Sequence, residues 1–339
     1  MAASTWIDDA LRLVLALLPV LMFLAALRVL DSYKLVSLRT VGTALAAGAA
    51  AAALCYGINT IVFRHLQENE IDHYIHFGAP VVEELAKGAF WIFLIATARV
   101  AFMVDSAICG FAIGAGFALV ENVSYLGALN GRDFGVWLLR GFGTAVMHGG
   151  VAAIGAFISV YLFESRQWRG VRQFAPGLLT AMMLHSLFNQ GVLSPAGSTA
   201  ATVVGLPVIF MVVFYFSERS LHRWLGGKLD QDIDMIASGE YKQTPQGAYL
   251  MSLNEAFPPE VRGDMLTFLH LTLELSARAK GDLIRREAGL TVPPDPAVES
   301  HFKELKYLET SIGPTGMLAI RPLLSRSPRD LWEMHQLSH

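Results

Sequence analysis

Three charges stand together where the chain is otherwise apolar. Val81-Val82-Glu83-Glu84-Leu85-Ala86-Lys87 is followed by a stretch, Gly88 to Ala98, with no charge at all. On a helix Glu83 and Lys87 are related by i, i+4, and Glu84 and Lys87 by i, i+3, so the three share one face. Further polar residues interrupt apolar runs downstream: Glu121 followed by Asn122, His148 in mid-run, and His185 one turn before Asn189. A carboxylate whose surroundings tune it can take a proton from water. An imidazole and an amide on one helical face can donate hydrogen bonds to the oxyanion of a tetrahedral intermediate. Lys87 can hold two adjacent carboxylates ionised, which like charges otherwise resist. Together these parts suit peptide hydrolysis. Each residue taken singly reads equally well as a buried polar group satisfied by a neighbour. The whole set at membrane depth points to a use, because charges there are costly unless paired or wetted.

The elements that must position this set are membrane helices. Hydrophobic residues make up 53% of the 339 and charged residues 16%, and the mean hydropathy is +0.44. That balance excludes an ordinary soluble protein and indicates an integral membrane protein. A nucleic-acid partner is not expected; the lipid bilayer is. The net charge of −3 says little, since the placement of Lys and Arg matters more than the total. Cys55 and Cys109, both in apolar segments, offer neither a disulfide framework nor a metal knuckle. The opening MAASTWIDDA has two aspartates and no basic region, so the first apolar run is expected to stay as a spanning helix.

A span needs about 20 helical residues. Seven runs qualify, near 10–30, 41–63, 75–98, 106–128, 136–163, 175–193 and 199–217. The third and sixth contain polar residues, and the sixth is short before Pro195. Basic connections (Arg28, Lys34, Arg39; Arg166, Arg169, Arg172; Arg219, Arg223, Lys228) alternate with acidic or neutral ones (Glu68, Glu70, Asp72; Arg132 beside Asp133). The positive-inside rule then puts the N-terminus outside and the C-terminus in the cytoplasm. The fold class expected is therefore all-α: a polytopic membrane helical bundle of about seven spans over residues 1–217. A small, mainly helical cytoplasmic domain follows at 218–339, and a cytoplasmic regulator is its expected partner.

Glycines at Gly110-x-x-x-Gly114, Gly116, Gly141, Gly143, Gly149, Gly150 and Gly155 read as close helix packing. Beyond Ser217, Leu266, Leu269, Leu273 and Ala277 fall at helical spacing, although Leu269 to Leu275 also alternates as a strand would. A break at Pro293, Pro294 and Pro296 precedes a second amphipathic helix carrying Phe302, Leu305 and Leu308. His335 and His339 read as solvated tail residues. His65, His73 and His76 read as loop or helix-end residues, and Arg140 as a side chain snorkelling to the interface.

Counted from the outer ends of the spans, Glu83, Glu84, Glu121, His148, His185 and Asn189 fall at a similar depth. In that order on successive helices, Glu83-Glu84-x-x-Lys87, Phe117-x-x-x-Glu121, His148-x-x-x-Ala152 and His185-x-x-x-Asn189 resemble the PrsW family. That family shares a superfamily with the CAAX prenyl endopeptidases and bacteriocin-processing membrane proteases. The resemblance covers roughly residues 75–217. It implies a glutamate-dependent intramembrane protease of the inner (cytoplasmic) membrane that acts in regulated proteolysis and signalling. The implied substrate is a membrane-anchored protein, such as an anti-sigma factor, cut near the extracytoplasmic leaflet. By resemblance Glu83 is the general base with Glu84 beside it, and His185 and Asn189 are the oxyanion donors. Glu121 stands where the prenyl endopeptidases have a histidine, which leaves His148 open to the part of holding the water. No cofactor is implied by this reading.

Three alternatives compete. A zinc-dependent intramembrane metalloprotease would hold its ion with some of Glu83, Glu84, Glu121, His148 and His185; against it, HExxH is absent and carboxylates outnumber imidazoles. An ion- or proton-coupled transporter would use the same buried groups as a path. Against that stands the lack of discontinuous-helix signals, Pro207 being read as the one proline deep in a span and far from the charged motifs. The third is a sensor or scaffold that signals through its cytoplasmic part.

Overall fold

The computed structural model describes residues 2–31, 36–128, 133–238, 257–293 and 295–321, with single positions at 249, 253, 323 and 324. Lys34, Arg132, Pro294, His335 and His339, each of which carried an expectation, lie outside them. The chain divides into two compact units, Met1–Ser217 and Glu218–His339.

Every regular element among the described residues is helical, as expected. The first unit holds α1 (Ala2–Leu30), α2 (Leu38–Phe63), α3 (Glu68–His73), α4 (Ala79–Ala96), α5 (Met103–Ala128), α6 (Phe134–Leu139), α7 (Val146–Arg166) and α8 (Val171–Asn189). It also holds the start of α9 (Pro195–Ser238). Local chemistry sets several of the ends. Ser37 Oγ accepts from Thr40 N at 3.1 Å to cap α2. Gln167, in the left-handed region, closes α7, and Gly170 turns the chain into α8. Among the described residues, five helical stretches are long and apolar enough to cross a membrane: Ile7–Leu30, Leu38–Phe63, Met103–Leu126, Phe134–Arg166 and Pro195–Ser217. The third and sixth expected spans are also helices, α4 and α8, but α4 carries Glu83, Glu84 and Lys87, and α8 carries Arg172, Gln173, His185 and Asn189. Those residues lower their apolar character; four of them, Glu83, Glu84, Lys87 and His185, belong to the polar cluster described below.

Helix α5 is the hub. Its apolar window is 89% buried within the protein, whereas that of the α9 stretch is 17% buried. With little hydrophobic drive in lipid, close contact is what holds membrane helices together, and small residues permit it. A Cβ on Gly114 of α5 would run into the carbonyl of His148 on α7. A Cβ on Gly177 of α8 would run into the carbonyl of Gly155 on α7. These two approaches bring α5, α7 and α8 near enough for their polar side chains to meet. Phe23 of α1 stacks on Phe111 of α5 at 5.0 Å between ring centres, and Phe210 of α9 meets both rings.

Two spans expected to be continuous are interrupted. The third, expected from residue 75, opens in a π turn at Tyr74–Gly78 that continues α3, and goes on as α4, so the acidic connection before it is itself helical. The fifth runs through α6 and a π turn at Arg140–Ala145 before α7. Pro80, in the first turn of α4, lies three residues before Glu83; Pro19 and Pro176 also lie inside helices. The expectation that Pro207 alone interrupts a span, far from the charges, is therefore corrected. Such widened turns recur at functional sites, and both here immediately precede a helix carrying the polar motif.

In the second unit, α10 (Pro259–Glu287) and α11 (Pro296–Ile320) pack through Met265, Phe268 and Leu269 against Leu308, Ile312 and Ile320. The alternating stretch from Leu269 to Leu275 is helix, because it continues a long amphipathic pattern. Asp295 caps α11 by accepting from Ala297 N at 2.8 Å, with Pro296 at the first helical position. Arg278 of α10 pairs with the same carboxylate. Those two contacts hold the Asp295 carboxyl below its ordinary range.

Candidate active site

The cluster is built around Lys87, whose side chain is 0% exposed. Its ammonium donates to Glu84 Oε1 at 2.5 Å and reaches His148 Nδ1 at 3.1 Å, with the Phe117 ring 4.5 Å away. An ammonium has no lone pair, so Nδ1 of His148 is the acceptor and its proton sits on Nε2. That Nε2 donates to Glu121 Oε2 at 3.0 Å. On α8, His185 Nδ1 lies 2.8 Å from Glu84 Oε1 and donates to it, so that in the neutral ring Nε2 of His185 carries the lone pair. Facing that lone pair at 3.8 Å is Oε2 of Glu83. Two acceptors so placed require a proton, a water or a cation between them. The rings of His148 and His185 meet edge to face at 4.8 Å.

Six of the seven sequence-chosen residues are thus brought together: Glu83, Glu84 and Lys87 from α4, Glu121 from α5, His148 from α7 and His185 from α8. The seventh, Asn189, is directed elsewhere: its Nδ2 donates to the carbonyl of Ile75 at 3.1 Å. Lys87 pairs with Glu84 and makes no ion pair with Glu83, so the two adjacent carboxylates have different surroundings. Oε2 of Glu84 is buried with no hydrogen-bond partner among the described residues.

Arg140 does not snorkel. Its Nε donates to Asn122 Oδ1 at 2.8 Å, its guanidinium stands 3.6 Å from Glu121 Oε1, and it lies over the Tyr125 ring at 3.9 Å. Asn122 in turn donates to the carbonyl of Ala16 at 3.2 Å. A carboxylate shared between an imidazole and a guanidinium explains the placement, since the partly buried Glu121 needs a counter-charge in an apolar bundle. Arg140, Tyr125, Pro80 and Ser186 were not singled out as parts of the site. Pro80, three residues from Glu83, was the one with a readable signal. His65 and His73 stay at the helix ends and His76 faces Asp72 at 3.4 Å, all apart from the cluster.

Glu83, His148 and His185 each offer a ligand atom, and the three atoms lie within 4.8 Å of one another. Two imidazoles and one carboxylate form a donor set that binds zinc with a position left open. The outer partners fit as well, Glu84 on His185 and Glu121 on His148, as carboxylates commonly orient ligating imidazoles. One feature resists: both nitrogens of His148 are already engaged, so ligation there means that Lys87 or Glu121 gives way. The residues fit the ion, with that exchange at His148.

No curated protein and no solved structure matches the chain. A family model does, that of the PrsW family intramembrane metalloproteases, over residues 36–217. The match begins at α2, ahead of the charged motif, and takes in every residue of the cluster. It extends over more than half of the 339 residues, and with it the chain belongs to the PrsW family of intramembrane metalloproteases.

Proposed function

We propose that this peptidase cuts a membrane-anchored protein near the extracytoplasmic leaflet of the cytoplasmic membrane, at the cluster of Glu83, Glu84, Lys87, Glu121, His148 and His185. The observation that carries the reading is the facing pair His185 Nε2 and Glu83 Oε2, 3.8 Å apart in a cluster of otherwise paired charges. Seven spans, with α4 and α8 counted, and an outside N-terminus bring this cluster toward the outer leaflet. The expectation of no cofactor gives way here to a metal as the first reading. Glu83, His148 and His185 would hold it, and a bound zinc ion would polarise the scissile carbonyl. Glu84 fixes the tautomer of His185, and Glu121 that of His148. Lys87 balances the Glu84 charge, and Arg140 that of Glu121.

A second reading rests on the engaged nitrogens of His148. Without a metal, Glu83 takes the proton of a water held against His185 Nε2, and the two carboxylate-imidazole pairs keep that water oriented. An anti-sigma factor is one substrate that suits either reading, and residues 218–339 are the unit proposed to meet a cytoplasmic regulator.

The readings separate on the purified protein. The metal reading expects about one zinc per chain, lost with activity on chelation and restored by zinc. Full activity in metal-free protein would leave the glutamate-water reading. A chain that hydrolyses nothing but conducts ions would overturn both.

A further inference from the structure

Pro80 has no N–H, so the carbonyls of Ile75 and His76, five and four residues before it, lack the one proton that a residue at position 80 would give to either or share between them. The π turn makes the gap definite: the N–H of Ala79 is used on the carbonyl of Tyr74. Away from water, carbonyls left bare are costly, and breaks in membrane helices persist where neighbouring side chains satisfy them. Here the neighbour is α8. Ser186 Oγ donates to the carbonyl of His76 at 2.6 Å, and Asn189 Nδ2 to that of Ile75 at 3.1 Å. Tyr74, in the same turn, ties it to α2 by donating to Asn59 Oδ1 at 2.7 Å. Its ring fills the space beside Gly78.

We infer that Ser186 and Asn189 are positioning residues that clamp α8 onto the Pro80 break, and so set His185 against Glu83 and Glu84. The spacing has a direct reason. His185 and Ser186 are adjacent, and Asn189 is one turn on, so a single docking of α8 satisfies the two carbonyls and delivers the imidazole. Three residues after Pro80, Glu83 receives it. The one-turn interval between His185 and Asn189 then records the geometry of docking, and Asn189 touches the reacting atoms only through α4. The inference rests on the cluster being the active centre, but its test does not.

The test is a double-mutant cycle on the purified full-length chain in detergent, read by thermal unfolding and by binding of cobalt(II) followed through its visible absorption. Replacing Pro80 by alanine returns an N–H to the break. With Pro80 present, Ser186→Ala combined with Asn189→Ala lowers the unfolding midpoint and weakens cobalt binding about tenfold, the scale of one or two lost hydrogen bonds. In the Pro80→Ala background both losses fall by about half, since the one restored N–H serves one of the two carbonyls. Losses of equal size in the two backgrounds would overturn the clamp, as would variants that leave both readouts unchanged, the behaviour of a direct oxyanion donor. If the Pro80→Ala chain does not accumulate, Ser186→Thr, which keeps the hydroxyl, is compared with Ser186→Val, which does not. The clamp requires the threonine variant to hold and the valine variant to fail; equal behaviour contradicts it. Wild-type protein that binds no cobalt counts against the metal reading, and the thermal arm still decides the clamp.

Discussion

His185 Nδ1 and Glu84 Oε1 lie 2.8 Å apart although 101 residues separate them in the chain, and that hydrogen bond joins α8 to α4 at the buried end of the cluster. It fixes which nitrogen of His185 carries the proton, and hence which one faces Glu83. Replacing Glu84 by glutamine keeps an acceptor and the shape but removes the charge that favours this tautomer. Activity is expected to fall about tenfold to a hundredfold, the range for partners that orient a catalytic or ligating imidazole. Comparing initial rates of Glu84→Gln and wild type at equal folded protein checks it.

Lys87 is fully enclosed and its principal partner, Glu84, is 1% exposed. Removing the ammonium leaves a buried carboxylate uncompensated, which costs about 3–5 kcal/mol. Lys87→Met is therefore expected to lower the thermal midpoint sharply. The double variant Lys87→Met with Glu84→Leu should recover much of the loss, since no charge is then stranded.

Glu121 shares its two oxygens between His148 and Arg140. Arg140→Ala should lower activity by roughly tenfold through His148. Arg140→Lys should recover only part, because a point charge cannot both reach Glu121 and bond Asn122 as the guanidinium does. A side chain that merely reached the interface would show no such difference between alanine and lysine.

The approach of α5 to α7 depends on Gly114, where a methyl group would overlap the carbonyl of His148. Gly114→Ala is expected to destabilise the chain by about 3 kcal/mol, at the upper end for overpacking. It should also pull His148 from Lys87. The first is read by thermal unfolding and the second by reduced metal uptake.

Much of the bundle was legible because charge is so conspicuous in an apolar chain. Four of the expected spans fall within a few residues of the apolar stretches Ile7–Leu30, Leu38–Phe63, Met103–Leu126 and Phe134–Arg166, a further one falls within a few residues of α8, and six of the seven chosen side chains meet. What was not legible has a common cause: partners chosen by packing between distant segments. Whether Arg140 reaches lipid or Glu121 depends on how α5 meets the π turn before α7. Asn189 reads as one more polar residue on the His185 face until the carbonyls freed by Pro80 appear opposite it. The π turns leave no mark in hydrophobic periodicity, since a single extra residue shifts a helical pattern by about one position. Pro80 did leave one, three residues before Glu83. With that proline and two π turns beside the charges, helix continuity no longer argues against a conducting path, and membership of the protease family decides the class.

The central claim is that the facing pair Glu83 and His185 performs peptide hydrolysis in the membrane. The most direct measurement compares cells carrying wild type, Glu83→Gln or His185→Ala, with the processing of membrane-anchored proteins followed by proteomics at matched levels of folded enzyme. The account predicts that the same single-span proteins accumulate uncut in both variants. Normal processing in both would contradict it and make the cluster a structural or conducting one.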